Sequence, residues 1–560
     1  MSYLRNYGAK ETPQSEPIPG QDQVENNAGG FVYEIDPFAR LRRFLILGSE
    51  GGTYYTGERK LTRENAECVI ECCKLDGIRT VDTIVEISMD ARAPKNDQAV
   101  FALAMASALG DDATRQYAFE NVNNVCRIGT HLFQFVTFRE QFAGWGRGMR
   151  NAVANWYLKK PIPKLAYQLV KYPQRDGWSH EDLLRLAHPN PEDRERVVHE
   201  DMEEMKMLFQ WATNRYKGKK RDLPEIVQAA GKALRARTPR ATARLIERFR
   251  LPREAILTEH RNQPEVWSAL LNAQMPMTAM IRNLANMTRD GVITGTSRET
   301  DIIRRTLTDA EVISAARIHP ANVLLASKTY AAGVGRRGQT WTPVPQILDA
   351  LDEAFYLAFD NLEPTGARRL IALDISGSMW GAYPRYVAGI EGFVAAEAAG
   401  AMSLASMKTG DPYDVVAFTS GGDSYYRSRN SGREIYPGLT PMALSPRQRL
   451  DDVDRAMRAM SPFMGATDCA LPIMYARENG KEYDVFEIHT DNESWNGGIH
   501  ASQALEFYRK ESGIRAKLIA AAYTATEYSI ANPRDPGMLD VVGFDSGAPQ
   551  IMAQFIQESI

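Results

Sequence analysis

Leu370-Ile371-Ala372-Leu373-Asp374-Ile375-Ser376-Gly377-Ser378 is the stretch that decides the fold. An apolar run that ends in a carboxylate and two alternating hydroxyls reads as a buried strand delivering oxygen ligands to its C-terminal edge. Open α/β sheets bind ligands at that edge. Alternate residues of an extended chain project to one side, so Ser376 and Ser378 can face the same ion, and Gly377 permits the tight turn that follows. Two later segments complete the pattern: Gly465-Ala466-Thr467-Asp468 and Ile488-His489-Thr490-Asp491. Thr467 adds a neutral hydroxyl, and Asp491 a second carboxylate from another strand end. Oxygen-only ligands of modest charge suit Mg²⁺ or another divalent cation. Turn and cap residues would give the same composition in the first segment alone; three segments in order set it apart.

The surrounding rhythm agrees. From the turn at Glu363-Pro364-Thr365-Gly366, strand-like runs at 369–374, 413–418, 484–490, 515–522 and 539–544 alternate with helical segments at 385–408, 448–460, 468–477, 499–511 and 549–558. That alternation predicts an α/β doubly wound parallel sheet over 365–560. Upstream the pattern is helical from about residue 60 to 350. The stretch 98–109 is apolar nearly all round, as a helix buried between others must be. Helices are further expected over 113–127 and 131–143. Helix starts are marked at Ser179 through Asp182, at Thr238-Pro239 and at Thr308 through Glu311. Many helices with short breaks predict stacked helical pairs, a solenoid-like array over 31–364. Residues 1–30, rich in Pro, Gly, Gln, Asn and Glu, are expected to form a flexible tail.

Composition sets limits. A chain of 560 residues exceeds one ordinary domain. Its 44% apolar and 24% charged content is that of a soluble globular protein. The net charge of −3 excludes a global polyelectrolyte. Residues 365–560 carry 18 Lys/Arg against 24 Asp/Glu, whereas 141–260 carry 24 against 15. Such a regional excess can attract a polyanion, or be a set of solvated helix faces. Within it, Arg147 and Arg150 share a helix face near Trp145, Trp156 and Tyr157, a combination that can grip phosphates and stack unpaired bases. Arg215-Tyr216-Lys217-Gly218-Lys219-Lys220-Arg221 is a denser patch, and reads equally as a mobile loop. The five cysteines fit no zinc motif and are expected as reduced thiols. There is no signal pattern and no apolar run of about 18 residues, so a cytoplasmic protein without membrane contact is expected. No glycine-rich phosphate loop or paired-carboxylate base supports a hydrolase.

The set Asp374, Ser376, Ser378, Thr467 and Asp491 resembles the metal-ion-dependent adhesion site of von Willebrand factor A domains, which bind Mg²⁺ or another divalent cation for ligand contact. The chain as a whole resembles the Ro autoantigen family, a ribonucleoprotein family with a TROVE domain. The resemblance is carried by Arg43 through Tyr55, Trp145 through Arg150, Gln174 through His180 with Asp182 through Leu186, Ala316 through Pro320, Gly465 through Pro472 and Phe544 through Ala548. It implies a HEAT-like helical-repeat toroid closed by the A domain as a monomeric ring. It implies binding of small noncoding Y RNA on the outer face. Single-stranded 3′ ends of misfolded RNA would be captured in the central hole, for RNA quality control without catalysis by the protein. A 3′-to-5′ exoribonuclease is the implied partner in bacterial members. On this resemblance Lys171, Arg175 and His188 fall at Y-RNA contact positions, and Pro173 stands where animal members carry a basic residue. A metal-dependent protein-interaction scaffold with no RNA role is the alternative.

Overall fold

The computed structural model describes residues 11–47, 66–192, 202–335, 338–359, 362–380, 386–387, 390–391, 393–420, 436–460, 466–524 and 526–557. Residues 1–10 of the expected tail, Gly48 through Tyr55 of the quoted Ro-like segment and Gly465 lie outside them. The chain divides into two compact units. One comprises 1–68, 92–94 and 359–560; the other comprises 69–91 and 95–358.

The strands run in chain order as follows. β1 (Gln23–Glu25) and β2 (Phe31–Glu34) lie near the N-terminus, and β3 (Gln174–Arg175) and β4 (Trp178–Ser179) form a hairpin in the helical unit. β5 (Arg369–Asp374), β6 (Tyr386–Val387), β7 (Ile390–Glu391), β8 (Tyr413–Phe418) and β9 (Leu439–Pro441) follow. β10 (Val485–Thr490), β11 (Lys517–Ala522), β12 (Tyr528–Ser529) and β13 (Met538–Val542) complete the set.

The main sheet of the α/β unit has the order β13-β11-β10-β5-β8-β9. Every pairing is parallel except β8 with β9, an antiparallel edge. β5 and β10 are buried at every residue, as strands covered by helices on both faces must be. From β5 the chain steps to β8 on one side, then returns to β10 on the other. The β5/β10 boundary is therefore the topological switch point, where such sheets open a crevice beyond their strand ends. Asp374 closes β5, and Asp491 follows β10 directly.

Two expectations are corrected in this unit. The segment expected as a helix over 385–408 is helical only over Ala395–Lys408; the β6/β7 hairpin precedes it. The expected flexible tail is ordered over its described part, residues 11–30. β1, β2 and β12 form a three-stranded sheet, and Thr12, Gln14, Ile18 and Asn26 are buried. The Gln14 side-chain amide donates to Asp468 Oδ1 at 2.6 Å and to the Ile499 carbonyl at 2.9 Å. Asn26 Nδ2 donates to the Ser494 carbonyl at 2.8 Å. Composition measures only apolar burial, whereas this segment is held by amide side chains satisfying distant polar groups. The domain boundary shifts accordingly. Residues 31–47 belong to the α/β unit, not to the helical array expected to begin at 31. Arg43, 2% exposed, donates to Thr526 and Tyr528 carbonyls and pairs with Asp540 at 2.5 Å.

In the helical unit, Asp97–Leu109 has ten buried side chains distributed all round. It packs on Gly129–Glu140, with Phe101 edge-on to Phe138 at 5.1 Å. Helix Glu67–Met89 is interrupted at Asp76, and Gly77 there meets Thr114 so closely that a Cβ would overlap its hydroxyl. The cap signals hold at Ser179, which forms a capping box with Asp182, and at Thr238, which accepts from Ala241. At the third start the cap is Asp309, accepting from Glu311 and Val312; Thr308 ends the preceding helix. The expected helix over 113–127 is two, Asp112–Glu120 and Val122–Val125, because Asn121 breaks the run. Among the described residues no helix is long and apolar enough to cross a membrane. All five cysteines are free; Cys73 is half-buried and the others buried.

Candidate functional site

The sheet's switch point gathers four of the five expected metal ligands. Asp374 is wholly buried; its Oδ1 accepts from the Ser376 backbone at 2.8 Å and its Oδ2 from the Thr490 hydroxyl at 2.8 Å. The Ser376 and Ser378 hydroxyls lie 3.1 Å apart; the chain bends at Ser376 and turns helical over Gly377–Trp380, so this turn, and not the expected extended alternation, brings them together. Ser378 faces the Asp491 carboxylate. Asp491 Oδ1 accepts from the Glu493 backbone at 3.0 Å, while its Oδ2 is buried with no hydrogen-bond partner.

Burial, and then the Asp491 charge, push the Asp374 carboxyl well above the usual carboxylate range. Burial likewise raises Asp491. Two desolvated carboxylates and an orphaned oxygen form a site that a cation would neutralise. Thr467 is buried in the neighbouring loop, where its carbonyl accepts from Trp495 and Asn496, both at 3.1 Å. Its hydroxyl makes no hydrogen bond to the other four residues. Among the described residues no three His, Cys, Asp or Glu side chains converge as a metal cluster. The site is hydroxyl-rich instead, the donor set that a hard cation with retained water accepts. Thr490 and Gln14 were missed from sequence. Thr490 lay inside the quoted motif, and the only mark on Gln14 is a polar residue in a polar stretch. Ser494 donates to Gln14 Oε1, so Gln14 bridges the loops that carry Thr467 and Asp491.

Behind the site, a charged network crosses the sheet. Arg369, at the start of β5, pairs with Asp411 at 2.5 Å and with Glu487 at 3.4 Å. Glu487 also accepts from Ser406 at 2.5 Å and from His489 at 2.9 Å, and His489 meets the Tyr523 hydroxyl at 2.7 Å. Burial would raise Glu487, yet the His489 hydrogen bond and charge and the Arg369 guanidinium hold it at about 2.

The helical unit carries its charges differently. Arg147 and Arg150 are exposed on helix Arg147–Leu158, and no carboxylate pairs with them among the described residues. Lys171 ends helix Ile162–Lys171, half-buried, its ammonium 5.4 and 5.2 Å from the Tyr167 and Tyr172 ring centres. Arg175 is exposed on β3 beside Asp176 at 3.3 Å. His188 caps helix His180–Ala187 in the left-handed region (φ +46°) and is exposed. Lys217, Lys219 and Lys220 are exposed in a short ordered turn, without an ion-pair partner among the described residues, and there Tyr216 donates to the Lys219 carbonyl at 3.0 Å.

The aromatics expected beside the arginines separate. Trp156 and Tyr157 are fully buried; Trp156 donates to the Cys126 carbonyl and Tyr157 meets His180 at 2.8 Å. They are core and offer no stacking face. Trp145 is half-buried and donates to Glu140 at 2.8 Å. Burial pushes His180 down to about 3 and Lys160, over the Trp156 ring at 3.6 Å, down to about 7.

Known proteins share both units. The TROVE domain family matches residues 24–252 and 230–332, and the Ro60 vWA domain family matches 368–556. The chain is 38% identical to RNA-binding protein RO60 of Deinococcus radiodurans, over all of this chain and 99% of that one. It is 35% identical to RNA-binding protein RO60 of Caenorhabditis elegans, over 98% of this chain and 92% of the other. The crystal structure of the Deinococcus radiodurans RO (RSR) protein matches with a TM-score of 0.66 at 35% identity, covering 94% of this chain and 100% of that one. Full-length kinship at this level, with both domain families in order, places the chain in the Ro60 family.

Proposed function

We propose that this protein is the RNA-binding core of a small noncoding RNA ribonucleoprotein. It binds Y RNA through its helical unit and captures single-stranded 3′ ends of misfolded or damaged RNA, handing them to a 3′-to-5′ exoribonuclease in the cytoplasm, with no catalysis of its own. The observation that carries the reading is full-length kinship with two proteins named for RNA binding. Support comes from the exposed cations at Arg147, Arg150, Lys217, Lys219 and Lys220, which have no carboxylate partner among the described residues; half-buried Lys171, near Glu254, and exposed Arg175 and His188 lie between them in sequence. Free surface cations suit phosphate contacts, whose strength falls steeply with salt. A gel shift with a structured small RNA at stepped salt tests it. Binding that weakens with salt is expected; no binding of duplex or single strand at low salt overturns it.

In the same proposal, Asp374, Ser376, Ser378, Thr467 and Asp491 hold Mg²⁺ or a similar cation, bound for ligand contact. The orphaned Asp491 oxygen favours this. A hydroxyl-rich shell would leave the cation able to accept an acidic group from a partner protein. That site also motivates the second reading, a metal-dependent interaction scaffold. Loss of protein partners in Asp374→Ala, in a protein that binds no RNA, would favour the scaffold.

A further inference from the structure

The helical unit contains a cavity of about 380 Å³ that the contact residues above do not account for. This volume is in the range of small-molecule sites. Its walls come from four helices and their ends: Tyr167 and Lys171 from Ile162–Lys171, Arg250 from the end of Pro239–Phe249, Gln274 beyond Pro264–Asn272, and Ala279 and Arg282 from Met277–Arg289. Leu251, Leu270 and Met275 supply an apolar floor.

Three features define what would fit. The first is charge: Lys171, Arg250, Arg253 and Arg282 line the cavity against one carboxylate, Glu254. Lys171, Arg250 and Arg282 have no ion-pair partner among the described residues. The second is an aromatic face with a free polar end. Tyr167 is half-buried and its hydroxyl makes no hydrogen bond within the described protein. The third is backbone strain. Arg250 (φ +49°) and Gln274 (φ +58°), both lining the cavity, hold the left-handed conformation without being glycine. Such conformations cost energy and concentrate at binding sites.

We infer that this cavity seats one unpaired nucleotide of an RNA strand, the base on the apolar floor beside Tyr167 and the flanking phosphates on Lys171, Arg250 and Arg282. The inference rests on the RNA-binding reading and adds a base-accepting subsite to it. A planar base needs an apolar slot with a few polar edges, and its phosphates need cations at the rim. Lys171 is both a proposed RNA contact and a lining residue of the cavity, so one strand can engage the two.

The test uses the full-length protein and two fluorescent probes of equal charge, an oligoadenylate decamer and an abasic ribose-phosphate decamer. Wild type is expected to bind the oligoadenylate about tenfold more tightly. Ala279→Phe fills the cavity without removing a charge. It is expected to bind both probes with the abasic affinity while binding a blunt RNA hairpin as wild type does. Equal binding of the two probes by wild type, or a preference that persists in Ala279→Phe, overturns the inference. Should Ala279→Phe fail to fold by circular dichroism, the exposed positions serve. An undiminished preference in both Arg282→Ala and Gln274→Ala then overturns it. If AMP alone binds as tightly as the decamer, the cavity serves free nucleotides and the strand form is wrong. Absence of binding to hairpin and decamers alike at about 50 mM salt sinks the RNA reading itself, and this inference with it.

Discussion

The two units of this protein treat charge in opposite ways. In the α/β unit the decisive charges are inside. Asp374, Asp491, Arg369, Glu487 and Asp411 are all under 5% exposed, and all but the Asp374/Asp491 pair are neutralised by neighbours. In the helical unit they are outside. Lys217, Lys219, Lys220, Arg147 and Arg150 are exposed with no ion-pair partner among the described residues, while the buried titratable groups His180 and Lys160 are shifted toward neutrality by desolvation. The difference teaches where each unit can act. Buried charges can be balanced only by a compact ion or by each other. Free surface cations can be balanced by any polyanion that reaches them. On the proposal made above, the first arrangement would take a cation and the second the phosphates of a polyanion.

The comparison breaks first at the buried network. Arg369→Met leaves Asp411 and Glu487 without their shared guanidinium. Removing one partner of a buried ion pair costs about 3–5 kcal/mol, so the unfolding transition of the α/β unit should fall accordingly in urea. Adding Glu487→Gln should restore part of it. A change below about 1 kcal/mol would show that this network is solvated and the contrast overstated.

The proposed metal site comes next. With Mg²⁺ at about a hundredfold over its dissociation constant, wild type should gain roughly 2.7 kcal/mol of stability. Asp374→Asn should gain none. In metal-free buffer the same variant should be at least as stable as wild type, because it removes one of two buried carboxylates that repel each other. A wild-type melting temperature indifferent to divalent cations would remove the reason for placing an ion there.

Lys160 probes the helical unit's interior by pH. Its folded value of about 7 lies below the ordinary 10.5 of an unfolded lysine. Between these values the unfolded chain holds a proton that the folded chain has released. Stability therefore rises with pH through that window, by about 2 kcal/mol from pH 7 to 9. Below pH 7 both forms are protonated and the dependence fades. Lys160→Met should abolish this slope in denaturation curves measured across the window. A slope unchanged in the variant would assign the dependence to other groups.

How much of this could be read beforehand follows from the kind of force involved. The strands 369–374 and 413–418 were legible to the residue, because a parallel strand buried throughout, as the first is, or over its last four residues, as the second is, reads as an apolar run with sharp polar ends. Asp374, Ser376, Ser378 and Asp491 were legible for the same reason: they are where such runs stop. Residues 11–34 were not. Their order comes from hydrogen bonds spanning more than 450 residues of sequence, such as Gln14 to Asp468, and local composition holds no trace of those. The β9 edge and the β6/β7 hairpin are too short to show a period. Trp156 and Tyr157 were ambiguous because an aromatic in a basic helix looks the same whether it faces a base or a core; only burial separates the two.

The smallest expected effect is also the one that bears most directly on function. Lys171 and Arg175 are separated by the turn from helix to β3, and Lys171 already gives up solvent to two tyrosine rings. If each neutralises one phosphate, Lys171→Ala with Arg175→Ala should weaken binding of a structured RNA by about tenfold at moderate salt. It should lower the slope of log affinity against log salt by about two. Circular dichroism should be unchanged, since neither side chain supports the core. Neutralising Lys217, Lys219 and Lys220 together gives the comparison its direction. A slope that drops by about three there and not at Lys171/Arg175 would move the RNA path to the 215–221 turn. A drop at both would join them into one track. A drop at neither would leave the helical unit's free cations as solvated surface, and the contrast between the two units would lose its functional meaning.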